Sequence, residues 1–313
     1  MRTAFSKDYS VITVATNKPS YLTLALNCAQ SILLFNDIRI YIVTNLECVI
    51  PNYLSQNVQL IAVLPQHAEL GIGIKLHLDE YVQTEHTIFI DSDCICFDSL
   101  DSMFQKCSGQ DVTCVGRIVP AADWCGEEQA ATIKKNWGLD QLIRFNGGFY
   151  SIKRSGLTLT IFNKAREIAD KYDSYGFQRI QNKWINEEGP LSIAMMLNGQ
   201  LPIEDNGLYL ADLYTDNTPA LNVLKGRRVL KNPPPGQIKH RSWYPVSYSP
   251  ILLHFGGSQL NSLIYKSQAI LLKVIRLNMP KAIVGFAINI FINPFSKISF
   301  WSVGLLRRLK TRF

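Results

Sequence analysis

Two aspartates one residue apart lie at the end of an apolar run, in the segment TIFIDSDCICF (Thr87–Phe97). Burying a carboxylate is costly unless a cation or a set of hydrogen-bond donors neutralises it, so Asp91 and Asp93 need partners. Because Mg²⁺ and Mn²⁺ favour carboxylate and phosphate oxygens, the pair predicts a site at which a divalent cation bridges a diphosphate. The alternative is a solvated Asp-Ser-Asp turn after a strand, and the short motif alone does not separate the two.

A late histidine and a pair of glycines are further candidates for the same site. His254 follows an apolar run and precedes Gly256 and Gly257. Imidazole accepts Mn²⁺, so beside an acidic pair we predict that His254 is a metal ligand rather than a structural histidine. Gly147 and Gly148 precede a predicted strand and allow a ligand to approach the backbone closely, although a bulge or a tight turn has the same signature.

The elements that would position these residues alternate between strands and helices. Apolar runs predict strands at residues 11–15, 39–44, 58–64 and 87–90, and helical spacing predicts helices at residues 21–35 and 75–82. This order is typical of a mostly parallel sheet with helices on both faces, so the predicted fold class is α/β. Ligands bind at the carboxyl ends of such strands, where the two aspartates and Thr16-Asn17 lie.

The pattern is less regular after residue 100. Strands are predicted at residues 112–115 and 147–152, and helices at residues 157–172 and 190–198. Residues 116–139 mix Pro, Asp, Trp and Glu, and they predict a loop with a short helix over the site. Residues 232–236, NPPPG, cannot lie inside a helix or a central strand, so we expect an exposed loop there.

The charge distribution divides the chain. The net charge is +7, yet the last acidic residue is Asp216, and residues 217–313 contain 15 Lys and Arg. Eight of these basic residues lie in residues 267–313, where they are interspersed among Leu, Ile, Phe and Trp301, as in segments that lie on an anionic bilayer. A packed helical pair with basic edges is the alternative, and no recognition motif favours nucleic acid. We therefore predict a domain at residues 1–265 and a basic amphipathic tail at residues 266–313.

The cysteines and the hydropathy pattern favour an intracellular protein without a membrane-spanning helix. The seven cysteines are odd in number and form no CxxC pair, which favours reduced thiols. The first ten residues lack the apolar core of a signal peptide, and no run reaches the ~18 apolar residues of a spanning helix. We predict a cytoplasmic protein that is peripheral at the inner face of the membrane.

Six segments, in their order along the chain, resemble the GT-A fold nucleotide-sugar glycosyltransferases, in particular glycosyltransferase family 8. The segments are VITVATN (residues 11–17), GIGIKLHLDEY (71–81), FIDSDCICF (89–97), FNGGFYSIKRSG (145–156), WINEEGPLSIAMMLNG (184–199) and LLHFGG (252–257). The third segment is similar to the DxD strand of the family. The resemblance covers roughly residues 10–257 and implies a Rossmann-like GT-A fold.

The resemblance also implies an activity and a set of site residues. The activity is metal-dependent transfer of a hexose from a nucleoside-diphosphate sugar, with a UDP-sugar as the expected donor, to a glycan or lipid-linked acceptor. Metal ligands for Mn²⁺ or Mg²⁺ are implied at Asp91, Asp93 and His254, and catalytic roles at Glu187 and Glu188. Contacts with the donor or its nucleotide are implied at Ala15, Thr16, Asn17, Lys75, Asp91, Ser92, Asn146, Gly147 and Gly148.

Two other functions remain as alternatives. A nucleotidyltransferase also combines carboxylates and a metal on a parallel sheet, but it would show a Gly-rich, basic loop after the first strand, and this chain has ATNKPSY there. A peripheral membrane protein could retain the fold without activity, but it would be expected to lack the metal-ligand set. Whether transfer inverts or retains the configuration of the sugar stays open.

Overall fold

The computed structural model describes residues 3–213 and 219–275 of the 313-residue chain. Its strands are β1 (Thr3–Ala4), β2 (Tyr9–Val14), β3 (Asn36–Asp37), β4 (Arg39–Thr44), β5 (Val58–Ala62), β6 (His86–Ile90), β7 (Cys94–Cys96), β8 (Val112–Pro120), β9 (Gln141–Lys153), β10 (Ile203–Glu204), β11 (Leu210–Asp212), β12 (Ala220–Asn222), β13 (Arg227–Lys231), β14 (Ser247–Tyr248) and β15 (Leu252–His254). Its α-helices are α1 (Pro19–Leu33), α2 (Asp101–Cys107), α3 (Ala121–Cys125), α4 (Glu127–Trp137), α5 (Gly156–Asp170), α6 (Glu188–Leu197) and α7 (Leu263–Ile275).

The chain forms two compact units. The first unit contains residues 3–29, 36–92 and 99–205, and the second contains residues 30–35, 93–98 and the described residues from 206 onward. Most of the predicted tail at residues 266–313 lies outside the described residues, so the predicted boundary after residue 265 stays a prediction. No helix in the described ranges is both long enough and apolar enough to cross a bilayer.

The first unit is built on a seven-stranded sheet in the order β10-β8-β9-β6-β2-β4-β5. Strands β6, β2, β4 and β5 run parallel, whereas β9 pairs antiparallel with β6 and β8. The central strands are buried along almost their whole length, which explains their continuous Val and Ile runs, since helices cover both faces of such a sheet. The predicted α/β class with a mostly parallel central sheet is confirmed.

Two predicted elements of the first unit differ in type or extent from those observed. The helix predicted at residues 75–82 is a 3-10 helix, Gly71–Tyr81, with a kink at His77 (φ −122°, ψ 16°). Gly71 and Gly73 disfavour an α-helix in its first turn, which accounts for the tighter and irregular winding. The loop with a short helix predicted at residues 116–139 is instead the end of strand β8 followed by two helices, α3 and α4.

The proline in that predicted loop explains the second difference. Pro120 is the last residue of β8 and precedes the first residue of α3, a position at which the missing N–H costs nothing. Gly126, at φ +83°, then separates α3 from α4. The other predicted helices and strands are present with ends that shift by one or two residues, except that β8 extends to Pro120 and β9 begins at Gln141, well before the predicted residue 147.

The second unit contains two three-stranded sheets, ordered β11-β15-β7 and β12-β13-β14, and helix α7. Gln30, in the last turn of α1, donates its Nε2 hydrogen to the carbonyl of Leu272 in α7 at 2.8 Å. Gln268 of α7 accepts the N–H of Val223 at 2.9 Å. These buried hydrogen bonds fix α7 within the unit. Residues 232–236 lie outside helix and strand, as predicted.

Candidate active site

Lys75 is the centre of a buried polar network in the first unit. Its ammonium lies 2.7 Å from Oδ2 of Asp91, 2.9 Å from the carbonyl oxygen of Gly147 and 3.2 Å from Oε1 of Glu187. Lys75 and Glu187 are almost wholly buried, at 7 % and 2 % exposure. A buried charge is tolerated when it is paired and hydrogen-bonded, and Lys75 meets both conditions. Through these contacts, Lys75 links the 3-10 helix Gly71–Tyr81 to the residue that follows β6 and to the residue that precedes α6.

Gly147 is a glycine because Glu187 occupies the space that a side chain would need. A Cβ built on Gly147 would overlap Oε1 of Glu187 and would lie 3.2 Å from the hydroxyl of Tyr150. Tyr150, fully buried on the same strand, donates its hydroxyl hydrogen to Glu187 at 3.3 Å. The sequence predicted close approach of a ligand to the backbone of Gly147. In the structure the group that approaches it closely is the carboxylate of Glu187.

Glu188 is held at the first residue of α6. Its Oε1 accepts the N–H of Gly147 at 2.9 Å, and its own N–H is donated to Oδ1 of Asn186 at 3.1 Å. Burial, reinforced by the charge of Glu187, raises the pKa of Glu188 from 4.5 to about 7. A carboxyl group with such a pKa can accept a proton near neutral pH.

Asn146 and Gly148 complete the network of the first unit. The N–H of Gly148 is donated to the side-chain oxygen of Asn146 at 2.9 Å, and its carbonyl accepts the N–H of Asp91 at 3.0 Å. The structure thus brings together Lys75, Asp91, Asn146, Gly147, Gly148, Glu187 and Glu188, seven of the residues that the sequence predicted.

His254 lies between two aspartates in the second unit. It is in register with Asp212 on the parallel strand β11 and with Cys94 on the antiparallel strand β7. Its Nδ1 is 2.9 Å from Oδ1 of Asp212, and its Nε2 is 3.1 Å from Oδ1 of Asp93. An imidazole fixed through one nitrogen by a carboxylate is the usual arrangement of a metal-binding histidine.

The electrostatics of this group favour a cation. Burial alone would lower the pKa of His254, but the charge and hydrogen bonds of Asp93 and Asp212 outweigh burial and raise that pKa well above its usual value. A positive charge between these two carboxylates is therefore favourable. Arg241 lies 3.4 Å from the second oxygen of Asp212 and balances part of the remaining negative charge.

Ser92 joins the two groups covalently. Asp91 and Ser92 are the last two residues of the first-unit segment 36–92. Asp93 is the first residue of the second-unit segment 93–98. The two aspartates of the DSD motif therefore belong to one short stretch of backbone, and each has its own set of partners within its own unit.

The loop after β2 forms a separate amide pair in the first unit. The backbone N–H of Asn17 is donated to Oδ1 of Asn45 at 2.8 Å, and Nδ2 of Asn45 is donated to Oδ1 of Asn17 at 2.7 Å. Asn17 has a left-handed backbone (φ 66°), which asparagine tolerates better than most residues. Ala15 and Thr16 are buried beside it at the carboxyl end of β2.

Three residues that contact the predicted site residues were not predicted from the sequence: Asn45, Tyr150 and Asp212. Asn45 had a usable signal, because a Thr-Asn pair lies at the carboxyl end of each of the parallel neighbours β2 and β4, at residues 16–17 and 44–45. Tyr150 and Asp212 had none, since their contacts with Glu187 and His254 depend on residues 37 and 42 positions away.

A second group of potential ligands, His67, His77 and Glu80, lies in the first unit. Nδ1 of His67 is 2.8 Å from the hydroxyl of Tyr81, and Nδ1 of His77 is 2.8 Å from Oε1 of Glu80. The two imidazole rings are 3.9 Å apart, and burial lowers the pKa of His67. Hydrogen bonds and ring contact account for this group without an ion.

Comparison with known proteins identifies the fold. No protein-family model matches the sequence, and no curated protein matches it. The apo structure of the bifunctional glycosyltransferase WbbM is 13 % identical with a TM-score of 0.50, over 81 % of this chain and 46 % of that chain. The galactosyltransferase LgtC, in complex with donor and acceptor sugar analogs, is 15 % identical with a TM-score of 0.49, over 79 % and 87 % of the two chains.

Mouse xyloside xylosyltransferase 1 in its apo form is a more distant neighbour, 10 % identical with a TM-score of 0.44, over 66 % of this chain and 88 % of that chain. At such identities a likeness shows the fold alone, and membership of glycosyltransferase family 8 stays a prediction. The sheet topology and the likeness to WbbM together show that the chain has the GT-A type of glycosyltransferase fold.

Proposed function

We propose that this protein is a metal-dependent glycosyltransferase that moves a hexose from a nucleoside-diphosphate sugar, expected to be a UDP-sugar, to a glycan or lipid-linked acceptor. One observation carries the proposal: the DSD segment follows a central strand of a GT-A fold, with Asp91 paired to Lys75 and Asp93 paired to His254. A solvated turn would not need a buried lysine and a carboxylate-bound histidine as partners.

The residues present suit Mn²⁺ or Mg²⁺. Asp91, Asp93 and His254 would hold the ion, and Asp212 would keep the ring of His254 turned with Nε2 toward it. When bound, the cation would supply positive charge to the diphosphate leaving group. Mn²⁺ suits the imidazole ligand better than Mg²⁺ does, because Mg²⁺ prefers oxygen ligands.

The donor would be held by residues of the first unit. Ala15, Thr16 and Asn17 would contact the nucleotide at the carboxyl end of β2, where ligands of such sheets bind. Asn146, Gly147 and Gly148 would face the sugar, and Ser92 would add a hydroxyl beside the phosphates. Lys75 would contribute positive charge and, through its three oxygen partners, keep Asp91 and Glu187 in place.

Glu188 is the better candidate for a catalytic base, and Glu187 for a positioning residue. Glu187 is buried and paired with Lys75 and Tyr150, whereas Glu188 is partly exposed with a raised pKa. In an inverting transfer, Glu188 would accept the acceptor hydroxyl proton as that oxygen bonds to the anomeric carbon. The bond from this carbon to phosphate would break, and its electron pair would leave on the diphosphate. A retaining transfer would not need this base.

The cellular setting we propose is the cytoplasmic face of a membrane, with polysaccharide assembly as the process served. This part rests on the basic, aromatic-rich composition of residues 267–313, which is typical of segments that lie on anionic lipid. A lipid-linked acceptor would be reached most easily from such a surface.

The experiment that tests the function is a donor-hydrolysis panel of UDP-, GDP- and ADP-sugars with Mn²⁺, accompanied by calorimetry of UDP binding. We expect hydrolysis of one nucleotide sugar, UDP binding that requires the metal, and loss of both in Asp93→Asn. Asp101→Asn, at an exposed residue of α2, is the matched control. UDP binding of equal strength with and without Mn²⁺ would contradict the proposal.

A further inference from the structure

The first unit contains a pocket that is lined by none of the predicted site residues around Lys75. Its volume is about 430 Å³. Helices α3 and α4 contribute Trp124, Gln129 and Thr132 to its wall, and the rest is lined by Leu142 of β9, Asn186, residues of α6 and most of the segment 172–178. This volume falls in the range of small-molecule sites, which run from about 300 to 1,000 Å³.

The lining combines aromatic rings with uncharged hydrogen-bonding groups. Trp124, Tyr175 and Phe177 supply partly buried rings, and Gln178 and Asn186 add amides. Sugar rings present apolar C–H faces and a circle of hydroxyl groups, so aromatic faces beside amide donors and acceptors match them on both counts.

The charge of the pocket excludes a phosphate-bearing ligand. Of the fifteen lining residues that the structure describes, Glu128 is the one carboxylate, and none is Lys or Arg. Phosphate groups are bound by cations and by clustered N–H donors, so a nucleotide would find no favourable partner here. A neutral polyol would find favourable partners, because the carboxylate of Glu128 can accept hydrogen bonds from its hydroxyl groups.

The walls of the pocket are held in place before any ligand binds. Nε2 of Gln129 donates to the carbonyl of Tyr175 at 2.8 Å, and the ring of Tyr175 packs edge-on against Trp137 at 4.7 Å. The hydroxyl of Tyr172 donates to the carbonyl of Gln178 at 3.0 Å. A site that is ordered in advance loses less entropy when it binds a ligand.

Asn186 connects this pocket to Glu188, the candidate catalytic base. It lines the pocket, and its side-chain oxygen accepts the N–H of Glu188 at 3.1 Å. On the other side, the ring of Trp124 lies 6.3 Å from that of Phe145, the residue before Asn146. A ligand in the pocket would therefore lie next to the residues that would activate an acceptor.

We propose that this pocket binds a sugar ring of the acceptor glycan, an inference that rests on the glycosyltransferase function proposed above. The donor is assigned elsewhere, because the pocket offers no cation for its diphosphate. An acceptor bound in this way must carry an unmodified sugar ring close to the hydroxyl that reacts. The acceptor is therefore a saccharide rather than a bare lipid or a protein side chain.

The test compares two tryptophan variants of neighbouring residues on α4. Thr132→Trp fills the pocket, whereas Ala131→Trp places the same side chain on an exposed position that does not line it. Glucose, galactose, N-acetylglucosamine and lactose serve as probes, with binding read by saturation-transfer difference NMR on the full chain. We expect at least one probe to bind the wild type and Ala131→Trp, with at least tenfold weaker binding to Thr132→Trp.

A second variant keeps the test informative if Thr132→Trp does not fold. Gln178→Ala removes an exposed side chain whose residue takes part in the fold through its backbone carbonyl, and it should weaken binding severalfold. The proposal is overturned if no probe binds the wild type, or if the pocket variants bind as well as Ala131→Trp does.

Donor hydrolysis without acceptor separates this inference from the proposed function. Thr132→Trp should hydrolyse the donor at the wild-type rate, because the donor site is intact. Loss of hydrolysis in this variant would place the pocket in the donor site and overturn the acceptor assignment. A wild type that hydrolyses no nucleotide sugar but still binds a probe would refute the proposed function, and with it the acceptor role, while leaving a sugar-binding pocket.

Discussion

His254 and Asp212 lie opposite each other on the parallel strands β15 and β11, with Nδ1 of the histidine 2.9 Å from Oδ1 of the aspartate. The carboxylate fixes the ring and leaves Nε2 directed at Asp93, 3.1 Å away. Asp212 is 5 % exposed, so its charge acts on the imidazole with little screening by solvent.

The first prediction concerns this carboxylate. Asp212→Asn should weaken Mn²⁺ binding about 10–100-fold, because the ring of His254 loses the partner that orients it and raises its basicity. Calorimetric titration with Mn²⁺ measures the effect. Asp173→Asn is the control, since Asp173 also pairs with an arginine but lies on the surface. Equal losses in both variants would remove Asp212 from the metal site.

Metal binding should release a proton. The raised pKa of His254 means that its imidazole holds a proton to higher pH than an ordinary histidine does, and a metal ligand must be deprotonated. We therefore expect Mn²⁺ affinity to rise by up to about tenfold per pH unit below that pKa. Calorimetry in buffers of different ionisation enthalpy should count about one proton, and His254→Ala should release none. Binding without proton release in the wild type would show that His254 is not a ligand.

Gly147→Ala should disturb Glu187 directly. The new methyl group overlaps the Glu187 carboxylate, and overpacking of a buried site costs about 1–3 kcal/mol. Urea denaturation measures the loss in the free energy of unfolding. Gly156→Ala is the matched control, because a Cβ at Gly156 meets nothing within 4 Å. Equal stability of the two variants would mean that Glu187 moves aside without cost.

The raised pKa of Glu188 makes a signed prediction about stability. Its folded-state pKa of about 7 exceeds its ordinary value of 4.5, so the native state holds the proton more tightly than the unfolded state. The corresponding stability is fully present below about pH 4.5 and is lost as the pH rises through about 7. Glu188→Gln has no such group, so the stability of the wild type relative to this variant should fall across the window. Urea melts at several pH values test this, and a rise with pH would contradict it.

We predict that the protein binds anionic vesicles and that this binding depends on residues 276–313. This segment has seven Lys and Arg and no acidic residue, each basic residue being worth about 1 kcal/mol near an anionic surface. A chain ending at Ile275 keeps α7, whose Leu271 and Leu272 are buried, and should therefore remain folded. Co-sedimentation should show full-length protein on anionic vesicles, less on neutral ones, and little of the shorter chain on either. Equal binding of both chains would place the affinity outside residues 276–313.

The sequence by itself determined the parallel strands at the centre of the sheet and the polar residues at their carboxyl ends. Buried parallel strands require continuous apolar runs, and the runs at β2, β4 and β6 were readable without a structure. Their polar ends, Thr16-Asn17 and the DSD motif, follow from the same pattern, because a chain that leaves a buried strand becomes polar at the edge.

Tertiary structure alone decided which polar residues meet. Lys75 and Glu187 are 112 positions apart, and His254 and Asp212 are 42 apart, so no local pattern encodes either pair. Their partners depend on strand register and on the packing of helix ends against the sheet, which a single sequence does not display. The same holds for Gly147: its sequence context shows that a side chain is missing, and only the fold shows that the carboxylate of Glu187 fills the space.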